Sequence, residues 1–557
     1  MQKIIFEENH IHSNYSDGQY PIKEILEYNN LHDKLDLIIA DHVDKKTSWF
    51  GDYVREIEKY RKLHSDFSVR IGCEVKIMNR TGALNTTDEI LNRAEIVVGA
   101  VHHFAGIKSM ELLECLDCEY ELTKIAANNK KIHILAHPFS MSKRLYEVDP
   151  PIEYVKEIYN LCVKNGIKFE YALKYGSKNT ETFIAGEIKK GNISNFSFGS
   201  DVHNDLSEIG DSAFSIVNPI TVLVTGGGAG VGQSIIKALK LSKVRTRIIV
   251  VDNSPLSAGV YRGNAAYLVP LSKEKSYVKA IVDIISKENV DLVLIGTDVE
   301  LPILAENKEK IESLTGAKIV VSDYQTIAIA NDKWKTVQFL KEKGFAYPNS
   351  CLKNGIEDFF KKNKGPFIVK PRIGARSVGV SVVHTKKELL EKIKTIPNPI
   401  IQEYLQQENE EYTCAVFFYE GKDYGAITMK RWLRNGDTYR AVISHNPELE
   451  KFVIEVGKQL KIYGPCNFQL RRDGDTFKIF EINCRFSGTT GARSFLGFNV
   501  INMLLQKEFF ARSLKKLTFK HGYMFRYWNE LFVDMEMFDK LKQKGYLKDP
   551  HSGINIF

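Results

Sequence analysis

Short apolar runs that finish on histidine, aspartate or glutamate recur through the first two hundred residues. Leu37-Ile38-Ile39-Ala40 leads into Asp41-His42, and Arg70-Ile71-Gly72-Cys73 into Glu74-Val75. Ile96 to Val101 leads into His102-His103, Ile132 to Ala136 into His137-Pro138, and Phe198-Gly199-Ser200 into Asp201-Val202-His203. Near the start, Asn9-His10-Ile11-His12-Ser13 alternates, so a strand there points His10 and His12 to one side. Helical segments such as 21–30 and 53–64 fall between the runs. Apolar strands alternating with helices, with polar residues gathered at the strand C-termini, predict a (β/α) barrel-like unit with its site at that end.

The pattern changes after Asn204–Pro219, which reads as a connection. Ile220 to Val224 opens a second α/β segment. It runs into Thr225-Gly226-Gly227-Gly228-Ala229-Gly230-Val231-Gly232-Gln233 and a helix over 234–240. Strands follow at Arg247–Asp252 and Asp291–Asp298. Further on come a strand ending on Lys370, the basic glycine-bearing loop Arg372–Gly379, the run Ile400–Leu405, and two neighbouring strands carrying Gln469, Glu481 and Asn483. Glu481 and Asn483 stand two apart and share a face; Gln469 comes from the partner strand across the Arg471–Thr476 hairpin.

A chain of 557 residues predicts roughly three or four units of ~150 residues. Its 43% apolar and 26% charged residues are those of a water-soluble globular protein. The net charge of +8 is mild for this length and suits anionic substrates without indicating a dedicated nucleic-acid surface. No apolar run approaches the ~18 residues of a membrane span, and the opening residues do not read as a signal peptide. The 8 scattered cysteines fit reduced thiols, so a cytoplasmic location is expected. Cys115-x-x-Cys118 lacks a second ligand pair and reads as packing.

Imidazoles and carboxylates converging on one barrel mouth suit Zn²⁺, Mn²⁺ or Fe ions, which generate hydroxide near neutral pH and clamp phosphoryl groups. The ordered motifs His-x-His with Ser-Asp-Gly, Asp-His, Gly-x-Glu, Gly-x-Val-His, Ala-His-Pro and Ser-Asp-x-His resemble the PHP family, the polymerase and histidinol phosphatase superfamily. The resemblance implies a (β/α)7-type barrel over residues 1–215 that binds two or three metal ions and hydrolyses a phosphate ester. It assigns His10, His12, Glu74 and Asp201 to one ion, Glu74, His102 and His137 to a second, and Asp17, His42 and His203 to a third, with His103 an alternative to His102. His12 and His102 are expected to serve catalysis as well. A barrel kept only for structure is the bland alternative.

A lysine on a strand, a basic glycine loop and hard oxygen ligands are the parts that an ATP–Mg²⁺ site needs. The order of these parts resembles the ATP-grasp superfamily, in particular carbamoyl-phosphate-synthase-like carboxylate–amine ligases. The resemblance implies a Rossmann-like domain over 219–330, an α+β ATP-grasp domain over 331–505 and a closing C-terminal segment over 506–557. It places Lys333, Lys370, Arg376, Gln402, Glu403 and Glu411 around ATP, with Gln469, Glu481 and Asn483 on magnesium. Arg485 matches the arginine that stabilises an acyl phosphate; Lys430 and Arg431 are candidates to carry the transferred phosphate or the acid's carboxylate, and Arg493 is a candidate carboxylate clamp. Glu411 also reads as a solvated acid in a glutamate-rich loop. The glycine-rich loop has an NAD-binding reading with Asp252 on a ribose, but no Tyr-x-x-x-Lys pair follows it. The basic, aromatic tail reads as a closing strand or as a platform for nucleobases.

The expected protein is therefore a two-activity enzyme. One half joins a small-molecule carboxylate to an amine through an acyl phosphate; the other cleaves a phosphorylated small molecule. The competing class is a PHP nuclease controlled by an ATP-binding module, which the mild charge disfavours. No membrane partner is expected, and self-association is compatible with either reading.

Overall fold

The structure is a computed structural model that describes residues 7–32, 35–63, 68–104, 106–215, 219–242, 244–374, 378–510, 516–527, 530–550 and 555–556. The chain divides into two compact units, one mostly from residues before 219 and the other mostly from the rest, with short segments of the second half grouped with the first unit.

In the first unit seven strands form one parallel sheet in sequence order: β1 (Glu7–Ile11), β2 (Asp36–His42), β3 (Val69–Lys76), β4 (Ile96–Ala100), β5 (Ile134–Leu135), β6 (Lys168–Tyr171) and β7 (Phe196–Phe198). The His12 N–H donates to Val202 O and the Val202 N–H to His10 O, so the segment after β7 bridges back to β1 and the sheet nearly closes. The strands are short apolar runs because their side chains are covered on both sides. Ile38, Ala40, Val98, Ala100, Ile134 and Ala136 pack as one buried cluster. The sequence reading missed β6 and made β5 too long; only Ile134 and Leu135 pair in a strand there.

The second unit opens with a Rossmann-like sheet. Its strands are β8 (Ile220–Val224), β9 (Thr246–Asp252), β10 (Ala265–Leu268), β11 (Leu292–Leu294) and β12 (Lys318–Val320), all parallel, in spatial order β12-β11-β8-β9-β10. A small antiparallel sheet follows, built from β13 (Ser350–Cys351), β14 (Phe367–Pro371), β15 (Ser381–Val383) and β16 (Pro399–Glu403) in the order β13-β16-β14-β15. It has its own core around Phe367, Val369 and Ile401. The larger antiparallel sheet takes β17 (Glu411–Tyr419), β18 (Lys422–Arg434), β19 (Asp437–Ile443), β20 (Gly464–Asp473), β21 (Thr476–Asn483) and β22 (Gly522–Phe525) in the order β21-β20-β17-β18-β19-β22. One buried cluster runs from Leu223 and Ile249 of the Rossmann-like sheet to Cys414, Phe468 and Ile482 of the larger sheet, so these two pack as a single body.

The described part of the C-terminal segment contributes to three sheets. β22 adds to that sheet. β23 (Leu531–Phe532) pairs with residues 555–556, and β24 (Tyr546–Lys548) runs antiparallel beside β10 as the edge of the Rossmann-like sheet. Among the described residues no helix is long and apolar enough to cross a membrane.

Candidate functional site

In the first unit the polar strand ends meet at Glu74, which is fully buried near the end of β3. Its Oε2 lies 3.4 Å from Nε2 of both His10 and His12 and 2.8 Å from Nδ1 of His42. Its Oε1 lies 2.5 Å from His102 Nε2 and 3.4 Å from His137 Nε2. Asp201 Oδ1 is 3.2 Å from His12 Nε2, and Asp17 sits between His42 and His203 at 3.4 and 3.5 Å. All nine expected ligands therefore converge. His103 is exposed, so His102 is the residue that faces the cluster.

These approaches are close, yet most lack hydrogen-bond geometry. His10 Nε2, both ring nitrogens of His12, His42 Nδ1, His137 Nε2 and Glu74 Oε2 are buried with no hydrogen-bond partner among the described residues. Unpaired buried polar atoms are costly, and lone pairs converging on common points are what metal ions satisfy. His12 with Asp17, His42 and His203, His10 with His12 and Asp201, and His42 with Glu74 and His102 each bring ligand atoms within 4.8 Å of one another. Burial drives the His12 imidazole down to about 4, the neutral form a ligand needs. Burial alone would raise Glu74, but His102 and His10 hold it well below the usual carboxylate range. His137 and Asp201 have φ of 26° and 51°, in the left-handed region that non-glycine residues rarely occupy. That backbone strain sits where the strand ends must turn their side chains into the cluster.

Three contributors escaped the sequence reading because β6 did. Glu170 contacts His10 from behind. Tyr175 Oη donates to Asp201 Oδ2 at 2.7 Å, and the half-exposed Lys174 ammonium lies 3.8 Å from the same oxygen. The only signal was Phe169-Glu170-Tyr171, a charge between two aromatic strand formers.

In the second unit a cleft of about 480 Å³ is lined from the glycine loop, the small sheet and the larger sheet. Lys333, Lys370, Gln402, Glu403, Glu411, Gln469, Glu481 and Arg485 all line it. Lys370 is buried, and no carboxylate lies within ion-pair distance of its ammonium among the described residues. Burial, then the neighbouring Lys333, bring it down to about 7. Lys333 Nζ donates to Gly374 O at 2.9 Å and holds the start of the basic loop. Arg376 lies outside the described residues.

Several expectations are corrected. Lys430 does not line the cleft. It pairs with Glu410, whereas its neighbour Arg431 faces inward. Successive strand residues point to opposite faces, so one position decides the matter. Arg372 is not free for phosphate: it forks onto both oxygens of Asp332, which caps the helix Lys333–Glu342. Gln469, expected on magnesium, has its Oε1 accepting from Arg431 Nη2 at 2.6 Å. Glu411 is neither solvated nor open to a ribose. Both carboxylate oxygens are taken, Oε1 by Arg431 and Oε2 by Arg471. Arg493 is sealed beneath the cleft, bonded to Ser487, Thr413 and Asn467 through neutral oxygens, and burial lowers it to about 9. Glu403 is held by Lys478 and Asn349, and Gln402 Nε2 by Ser350 Oγ.

Glu481 and Asn483 remain adjacent, with Asn483 Nδ2 donating to Glu481 Oε1 at 3.3 Å. Arg485 is fixed by Asp298 at the end of the Rossmann-like strand, through contacts of 2.7 and 3.1 Å. The glycine loop brings Ala229, Gly230 and Val231 to the cleft. Asp252, the residue a ribose contact would need, is buried and accepts the Gly228 N–H and the Ser257 hydroxyl. A side chain at Gly226 would collide with Thr297 at 1.9 Å, so this glycine permits close approach of loop and strand end.

Residues 222–320 match the family model for the PylC-like N-terminal domain, and 395–530 that for ATP-grasp in the biosynthetic pathway with Ter operon. The chain is 24% identical over 297 residues to the 3-methyl-D-ornithine–L-lysine ligase of Methanosarcina mazei, covering 51% of this chain and 71% of that protein. It is 28% identical over 198 residues to the D-alanine–D-alanine ligase of Bacillus anthracis, covering 32% and 63% respectively. With the carbamoyl phosphate synthase large chain of Pseudothermotoga lettingae it shares 24% identity over 264 residues, 43% of this chain and only 23% of that one. Both family models match within the cleft-bearing half of the chain, and that half is similar to ATP-grasp proteins, with carboxylate–amine ligases among the relatives.

Proposed function

We propose that the protein is a bifunctional enzyme, an ATP-dependent ligase joined to a PHP-type metal-dependent phosphoesterase. The observation that carries the ligase reading is one cleft holding Lys333 and Lys370 opposite Glu481 and Arg485. The two lysines would neutralise the triphosphate, and Glu481 with Asn483 would hold magnesium. A carboxylate oxygen of the acid attacks the γ-phosphorus and ADP leaves. An amine nitrogen then attacks the acyl carbon and phosphate leaves. Arg485, with its fork aligned by Asp298, would stabilise charge on the acyl phosphate.

The phosphoesterase reading rests on the buried, unpaired ring nitrogens around Glu74. His10, His12, Glu74 and Asp201, then Glu74 again with His102 and His137, then Asp17, His42 and His203, would hold two or three Zn²⁺, Mn²⁺ or Fe ions. Bound ions would supply Lewis-acid charge and acidify water. Lys174 would meet the phosphate of the ester, and Tyr175 keeps Asp201 oriented through its hydroxyl.

The test is ADP release across a matrix of amino acids and amines, beside phosphate release from p-nitrophenyl phosphate with Mn²⁺. Glu481→Ala is expected to lower ADP release by roughly 10²–10³-fold, the scale of losing one charge-stabilising group, and to leave phosphate release intact. His12→Ala is expected to do the reverse. Equal ADP release by wild type and Glu481→Ala would sink the ligase reading. A second contrast follows from the strand faces. Lys430→Ala should leave the KM for the acid unchanged, while Arg431→Ala should raise it by roughly tenfold or more, as a lost charge-assisted contact of about 1.5–3 kcal/mol implies. Equal effects would place Lys430 back in the site.

A further inference from the structure

Nine of the barrel's polar residues face the point where metal would sit, but one buried carboxylate stands behind them. Glu170, in the middle of β6, is 1% exposed. Its Oε1 and Oε2 lie 3.1 and 3.2 Å from His10 Nδ1, the ring nitrogen that faces away from Glu74 and Asp201. Its Oε2 also accepts the His137 N–H at 2.9 Å. One carboxylate thus touches two ligand-bearing residues on two other strand ends, and one of these, His137, carries the φ of 26°. The space for it is made by Gly199, where an added Cβ would lie 2.4 Å from Glu170 Oε1 and 2.5 Å from His10 Cβ.

We propose that Glu170 is the positioning residue of the metal centre: it fixes the His10 tautomer and clamps the His137 backbone, so that both rings present Nε2 to the ions. This rests on the metal-centre reading above. A carboxylate accepting at Nδ1 leaves the proton there and the lone pair on Nε2, and outer partners of this kind orient metal-binding histidines. An amide cannot replace it. Glu170 meets two N–H donors with two acceptor oxygens, and glutamine has only one. Gly199→Ala should act the same way by pushing an intact carboxylate aside.

The test is calorimetric titration of the metal-stripped full chain with Mn²⁺ alone, for wild type, Glu170→Gln and Gly199→Ala, with the Tm of each metal-free protein measured alongside. Both variants are expected to bind the tightest Mn²⁺ roughly 10–100-fold more weakly, with the metal-free Tm unchanged in Glu170→Gln and lowered in Gly199→Ala by its overpacked Cβ. Wild-type affinity in Glu170→Gln overturns the inference. So does an affinity loss in that variant matched by a fall in metal-free Tm, which would make Glu170 a scaffold residue only. If the wild type takes up no Mn²⁺, Zn²⁺ or Fe²⁺ at all, the metal-centre reading itself falls and the inference with it.

Discussion

Glu74→Gln is expected to strip the first unit of most of its metal and to reduce the proposed phosphoesterase activity by roughly 10²–10³-fold or more. The argument is geometric. Five histidines, His10, His12, His42, His102 and His137, reach the same carboxylate within 3.4 Å, and no other acidic group in the cluster touches as many. Glutamine keeps the shape but removes the charge that two of the expected ions would share. Breaking a buried charge pair on one side costs about 3–5 kcal/mol, and each 1.4 kcal/mol is about tenfold in affinity. Metal analysis after gel filtration should show at most one equivalent in the variant, and ADP release by the second unit should be unaffected. Retention of the wild-type metal content would show that Glu74 is not the shared ligand.

What could be read from the sequence here depended on where the signal lay. Glu74, His42, His102 and His137 were legible because an apolar strand that ends on a polar residue is a local pattern. Strand geometry alone sends that residue to the mouth of a barrel. Glu170 was not legible. Its strand is four residues long, and the partner that gives the carboxylate meaning, His10, is 160 positions away. In the cleft of the second unit the chemistry of the parts was legible, but not their pairing. Arg372 adds charge to the basic loop in sequence, but its partner Asp332 lies 40 residues earlier and no local pattern joins the two. Gln469 was placed correctly, but which amide atom faces the cleft is decided by Arg431 on a different strand. Lys430 and Arg431 were read as a pair, and because successive strand residues face opposite sides of the sheet only Arg431 reaches the cleft.

MgATP binding should weaken as pH rises from 7 to 9, by about 10–100-fold, and Lys370 should be the cause. Its ammonium is buried beside Lys333, and burial with that like charge brings it down to about 7. Above that pH the free protein holds Lys370 neutral, while a triphosphate favours the ammonium. Binding must then take up a proton, and the affinity falls by up to about tenfold for each pH unit until the value in the complex is reached. The sign for folding is opposite. The unfolded lysine stays protonated to about 10.4, so the cost of burying this charge is full below pH 7 and is relieved as pH rises through the window between 7 and 10.4. Calorimetry in two buffers of different ionisation enthalpy should show uptake approaching one proton at pH 8. Lys370→Met should bind MgATP roughly 10²-fold more weakly at pH 7, as expected for truncating one member of a buried charge pair, and its affinity should no longer depend on pH. Because the substitution removes a charge already unfavourable in the empty cleft, the variant should be at least as stable as wild type at pH 6. A wild-type affinity that stays flat between pH 7 and 9 would mean that the ammonium is retained in the empty cleft, and that the phosphates meet a lysine already charged.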